Sequence, residues 1–172
     1  MDYNVFKKNV FSQNGEDGIL EEIIKRISDV PIEQLNCVEF GAWDGKKFSN
    51  TFNLVMQGSR AVYIEGSMVK FQNLLKTAKE FKKIIPINAF VDRLPNTKTS
   101  LDNLIKNYVD ISDYDILSID IDSYDLEVWH NHTGYPKIVI IEINSSIKPG
   151  IFQWHGSEGA IGNSFSSTLE VA

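Results

Sequence analysis

Five short apolar runs punctuate this chain, and each ends in a carboxylate or an amide. "NCVEF" carries Glu39 just before Gly41, "RAVYIE" closes on Glu65 and "KIIPIN" on Asn88. "YDILSID" closes on Asp120, and "KIVIIEIN" ends with Glu142 and Asn144. Between the runs lie segments with apolar residues at helical spacing. Ile19, Leu20, Ile23, Ile24 and Ile27 form the first, followed by "SNTFNLVMQG", "MVKFQNLLKTAKEF", "TSLDNLIKNY" and "SYDLEVWHNH". A strand that is apolar along its whole length is covered on both faces, and regular strand–helix alternation makes the strands parallel. The pattern predicts an α/β fold: a Rossmann-like, doubly wound, mostly parallel sheet with helices on both faces. Pro86 puts the third strand at an edge. Asn14 is expected to cap the first helix, with Glu16 and Asp17 in its first turn, and Gly58 to end the second. "SFSSTLEVA" reads as a short helix.

The 172 residues suit one domain, 1–172, with a single core at 42% hydrophobic and 23% charged. A net charge of −6 argues against partners that need a basic face, both nucleic acid and anionic membrane. No apolar run is long enough to span a bilayer. The opening "MDYNVFKKNVFSQ" has neither a long apolar stretch nor a small-residue cleavage site, so it is not read as a signal peptide. The lone Cys37 cannot form an internal disulfide and reads as a small buried hydrophobe. The cytoplasm is the simplest compartment. Nothing in the sequence signals an oligomeric state.

In open α/β sheets ligands bind beyond the carboxyl ends of the strands, where the strand order reverses. The polar strand ends therefore form one candidate site. Glu39-x-Gly41-x-x-x-Gly45 differs from the glycine pattern that cradles a pyrophosphate, because Glu39 and Asp44 would repel it. A zwitterion carrying an ammonium and a sulfonium would not be repelled. Gly41 would let the backbone approach its methionine portion. N–H groups near Ser49, Asn50 and Thr51 would hold its carboxylate. Glu65, followed by Gly66, stands where a ribose diol is gripped by two charge-assisted hydrogen bonds. Asn88, Ala89 and Phe90 are candidates for adenine contact, and Trp43 for lining the site. These features together describe S-adenosylmethionine.

The five βα units with "FSQNGEDGIL", "VEFGAWDG", "YIEGS", "LSIDIDSYD" and "IVIIEIN" resemble class I S-adenosylmethionine-dependent methyltransferases, and more narrowly the FkbM-like group. The likeness runs from Phe11 to the C-terminus. It implies methyl transfer, chiefly to the hydroxyl of a small-molecule or sugar-like acceptor. It also implies further strands after "GAIGNSFSSTLEVA", so the chain is expected to be a piece of a longer protein. Helix capping accounts for Asn14, Glu16 and Asp17 but not for Ser12, Gln13 or Gly15. The resemblance implies that "SQNGED" folds over the cofactor cleft, with Gln13 among the contacts.

The acids of "LSIDIDSYDLEVW" allow three readings. Asp120 borders the methyl-transfer site and Asp122 assists, while Asp125 and Glu127 are first-turn helix acids. Alternatively Asp120 or Asp122 joins Glu142 and Asn144 around a divalent metal such as Mg²⁺, which would lower an acceptor hydroxyl's pKa. The metal-free reading is preferred, because positioning and a neutral base suffice for many acceptors. In the third, Asp120-Ile121-Asp122 is the D-x-D of a metal-dependent glycosyltransferase using a nucleotide sugar and Mn²⁺, the second choice because nothing cradles a pyrophosphate, although the two aspartates fit it. A non-catalytic S-adenosylmethionine-binding module is a further alternative. His155, in "FQWHGSEG", is the remaining catalytic candidate. His130 and His132 are explained by a helix dipole.

Overall fold

The structure is a computed structural model that describes residues 2–159 and 161–172. Its five strands are β1 (Asn36–Phe40), β2 (Arg60–Glu65), β3 (Ile84–Asn88), β4 (Ile116–Ile119) and β5 (Ile138–Ile141). They form one all-parallel sheet in the order β3-β2-β1-β4-β5. The order reverses between β1 and β4, which pair from Cys37 with Ile116 to Phe40 with Ile119. Pro86 lies on the edge strand β3, as its missing N–H requires. On the other edge, every β5 residue is only half-buried.

Among the described residues six α-helices accompany the sheet: α1 (Glu16–Ile27), α2 (Phe52–Met56), α3 (Met68–Glu80), α4 (Leu101–Ile105), α5 (Asp125–Asn131) and α6 (Phe165–Val171). Strand side chains alternate between faces, so two cores form. Cys37, Ala61, Tyr63 and Ile116 pack with Leu20 and Ile24 of α1, Phe52 and Leu54 of α2 and Leu74 of α3. Val38, Phe40, Val62, Ile64, Leu117 and Ile119 pack with Leu101 and Ile105 of α4 and Val128 of α5. Cys37 is fully buried. No helix among the described residues is long and apolar enough to cross a membrane.

Two local expectations are corrected. Asn14 does not cap α1. The N-cap is Gly15, in the left-handed region at φ 102° with no side-chain cap, and the Asn14 backbone N–H donates to Glu16 instead. His132, at the end of α5, is not an exposed partner of the helix dipole. It is buried between the Tyr114 hydroxyl, 2.8 Å away, and the Asp102 carboxylate, and so ties α5 to α4.

Candidate active site

A cavity of about 710 Å³ opens at the carboxyl ends of the strands, over the β1–β4 reversal. The loop after β1 forms its floor. Gly41 has φ 80°, and its N–H donates to the Ile64 carbonyl at 3.1 Å. Gly41 lines the cavity, and a Cβ here would overlap the Asp120 carbonyl oxygen, so the end of β4 by itself already requires the glycine. Asp44 faces no ligand either. Its Oδ1 accepts the Lys46 and Lys47 N–H groups and closes its own turn. Glu39 lines the cavity but is 95% buried, with 5% exposure. Its Oε2 accepts the Thr51 hydroxyl (2.6 Å), the Thr51 N–H (3.0 Å) and the Ser49 hydroxyl (3.0 Å). The N–H expected to hold a ligand carboxylate is thus spent on Glu39. Burial pushes the Glu39 carboxyl up to about 7, against the pull of those hydrogen bonds, and the Asp120 charge adds to the rise. Asn50 lines the cavity and donates from Nδ2 to the Ser118 hydroxyl at 3.0 Å.

Glu65 ends β2 in the cavity wall at 6% exposure. Its Oε2 accepts the Trp43 N–H (2.9 Å) and its Oε1 the Ser67 N–H (2.6 Å). Each oxygen retains a lone pair for a further donor. A Cβ on Gly66 would overlap the Phe90 ring, which lies across it and is 76% exposed. Ala89 and Phe90 join the lining, as does Gly66. Asn88 stands outside it, because its side chain donates to the Glu65 carbonyl at 2.7 Å and ties β3 to β2.

Beside this wall, Asp120, Asp122 and Glu142 each bring one carboxylate oxygen within 4.8 Å of the others. Burial, then the charges of Asp122 and Asp125, push Asp120 up to about 6, while Lys70 pulls it down. Burial, then Asp120, Asp122 and Asp125, push Glu142 up to about 7. Because Glu142 is exposed at the rim, solvent screens part of that effect. Asp122 has φ 58°, a costly conformation for a non-glycine residue. Buried Asp125 holds that bend by accepting the Ile121 N–H (2.8 Å) and Ser123 N–H (2.9 Å). The trio offers oxygen ligands suited to a hard cation. Asn144 does not join it, since its amide binds Ser146 and the Ile161 carbonyl. Asp125 and Glu127 lie in the first turn of α5 as expected, and the Glu127 Oε2 is buried with no hydrogen-bond partner among the described residues. His155 lies behind the cavity wall. Its Nδ1 accepts the Gly162 N–H, and its ring sits edge-on to Tyr124 at 4.7 Å.

Gln13 reaches the lining from the segment before α1, and Trp43 from the loop after β1. Lys47 and Lys70, which sequence reasoning missed, also line the cavity. Their Nζ atoms lie 4.6 and 4.9 Å from the Trp43 ring centre. Lys70 carried a signal: a lysine in the first turn of α3 opposes the helix dipole and implies a negative neighbour, here Asp120.

The parallel β3-β2-β1-β4-β5 sheet with this crevice defines a Rossmann-like α/β fold of the kind found in methyltransferases. Among solved structures, the "putative O-methyltransferase" of Klebsiella pneumoniae shares it with a TM-score of 0.55 at 9% identity, over 98% of this chain and 71% of that one. The "putative methyltransferase yhhF" of Escherichia coli gives 0.47 at 12% identity, over 74% and 65%. The CurJ carbon methyltransferase gives 0.49 at 8% identity, over 73% of this chain and 32% of that one. The aligned region thus spans less than two thirds of the latter two proteins. At such identities the likeness is one of fold. No protein-family model and no curated protein matches the sequence.

Proposed function

We propose that this chain is the cofactor-binding part of an S-adenosylmethionine-dependent methyltransferase acting on a hydroxyl of a small, sugar-like or other non-polymeric acceptor. The observation that carries the reading is the cavity itself. It places a buried strand-end carboxylate, Glu65, and a crowded acidic trio around one crevice at the strand reversal. Its volume is in the range that takes a cofactor-sized molecule with a small acceptor. Bound there, S-adenosylmethionine would supply an already activated methyl carbon.

The residues then divide the work. Glu65 accepts the ribose hydroxyls on its free lone pairs. Ala89 and Phe90 flank the base, and Gln13 covers it. Lys47 and Asn50 replace the expected helix-start N–H groups as partners for a carboxylate. The carboxylates of Glu39 and Asp120 offset positive charge. Asp120 and Glu142, titrating near neutrality, take the acceptor's proton, which a general base near the working pH does best. Neither nucleic acid nor a membrane surface is needed as a partner. The FkbM-like assignment belongs to the same proposal and rests on the sequence motifs.

Calorimetry with S-adenosylhomocysteine against a nucleotide sugar tests the reading. S-adenosylhomocysteine should bind and the nucleotide sugar should not; the reverse overturns it in favour of glycosyl transfer. Glu65→Ala should weaken S-adenosylhomocysteine roughly 10- to 100-fold, the loss of a charge-assisted pair of hydrogen bonds. Unchanged affinity would remove Glu65 from the site. EDTA should leave methyl transfer intact. If EDTA stops it and Mg²⁺ restores it in the wild type but not in Asp122→Asn, the acidic trio holds a metal.

A further inference from the structure

The segment before α1 is fixed by one buried carboxylate. Asp17, 1% exposed, takes four hydrogen bonds on Oδ2: from the N–H groups of Val10 (2.8 Å), Phe11 (2.8 Å) and Ser12 (2.9 Å), and from the Ser12 hydroxyl (2.8 Å). Its own N–H donates back to the Ser12 hydroxyl at 3.1 Å. Its Oδ1 is buried with no partner among the described residues. Three consecutive backbone N–H groups converging on one oxygen impose a single conformation on residues 10–12. The next residue, Gln13, is exposed and lines the cavity. Its carbonyl is in turn held by Asn9 Nδ2 at 2.8 Å. Behind the segment, the Phe11 ring packs edge-on against Phe52 at 4.6 Å, which anchors it to the α2 side of the core.

A helix start does not need this arrangement. Capping uses a side chain that accepts N–H groups of the helix it begins. Asp17 accepts none from α1 and spends its charge on the chain that precedes it. It also leaves a buried carboxylate oxygen unbonded, a cost that helix initiation does not explain.

We infer that Asp17 is a positioning residue: it holds residues 10–12 as a rigid strap, so that Gln13 stands over the ligand cleft already in its binding position. The inference rests on the S-adenosylmethionine reading of that cleft. A pre-set wall saves the ordering cost that a mobile segment would incur on binding. Asp17 touches no ligand and acts only through Gln13.

A double-mutant cycle tests this, with S-adenosylhomocysteine affinity read by calorimetry on Asp17→Asn, Gln13→Ala and the pair. Urea midpoints are measured beside it, and hydrogen exchange follows the amides of Val10, Phe11 and Ser12. Gln13→Ala should weaken binding about 10-fold and Asp17→Asn about 5-fold, and the pair should stay near the 10-fold of Gln13→Ala rather than reach about 50-fold. The three amides should lose protection in Asp17→Asn and keep it in Gln13→Ala. Additive losses would mean that Asp17 acts on stability alone and overturn the inference, as would wild-type affinity in Asp17→Asn. If the wild type fails to bind S-adenosylhomocysteine, the cofactor reading falls and takes this inference with it. If the wild type binds and the cycle is additive, only this inference falls.

Discussion

Gly41→Val is expected to cost the protein more than about 4 kcal/mol and to leave little folded material, an effect reserved for a few severe mechanisms. Two of them coincide at this position. A β-branched residue is forced to φ 80°, and its Cβ would overlap the Asp120 carbonyl oxygen. The flexible end of a side chain could move away, but this oxygen belongs to the backbone at the end of β4. Relief would require β4 to separate from β1 at the strand reversal. Assigning the space beside Gly41 to a ligand's methionine portion would instead give a milder result, lost cofactor binding with the helices intact. A urea denaturation midpoint, or simply the soluble yield, decides between the two. A variant that folds normally and fails only to bind would support that assignment.

The acidic trio gives the second large effect. Asp120→Asn should reduce methyl transfer about 100-fold, the scale of losing a positioned proton acceptor. The wild-type rate should rise with pH through about 6 to about 7 as Asp120 and Glu142 lose their protons. Repulsion between the two is mutual, so these values belong to the cluster. Glu142→Gln removes a negative neighbour and should shift the rise towards lower pH; a profile that does not move would separate Glu142 from the reaction. Stability should run the other way. Glu39 has its carboxyl raised from 4.5 to about 7, with Asp120 and Glu142 also raised, so the folded protein holds these protons more tightly than the unfolded chain. Their contribution is fully present below about 4 and is lost as pH rises through 6 to 7. The urea midpoint should therefore be higher at pH 5.5 than at pH 8, and an equal or reversed pair of midpoints would contradict the assigned protonation.

The strands, their parallel direction and the edge position of β3 were legible, because an apolar run and a proline report the burial of their own residues. Lining positions such as Glu65, Phe90 and Asp120 were legible for a related reason: strand ends in such sheets converge on one crevice. What the sequence concealed was the use of each polar group. Glu39 looked wholly free to meet a ligand, yet its Oε2 is taken by Ser49 and Thr51 in the next loop. Asp17 is the first-turn acid it looked like, but its carboxylate faces backwards onto residues 10–12. Asn88 had suitable chemistry, but a hydrogen bond to the Glu65 carbonyl holds it in the sheet, and His155, its Nδ1 engaged by the Gly162 N–H, stands outside the lining. Local propensity identifies a donor or acceptor, and only the fold decides which partner arrives first.

The reversal of strand order also sets a timetable for synthesis. One wall of the crevice, with Glu39, Trp43, Glu65 and Phe90, comes from β1 to β3 and the turns around them, whose pairings join successive strands. The other wall waits for β4, whose junction with β1 links Asn36 to Asp115, 79 positions apart. At ribosomal speeds the gap between the end of β3 and the end of β4 is on the order of seconds. Throughout that interval β1 presents an open apolar edge, the kind that recruits strands from other chains. The turn at Gly41 must meanwhile keep its place for a carbonyl that has not yet been translated. Chaperone demand during translation should therefore peak after Asn88 emerges and fall once Ile119 has cleared the exit tunnel.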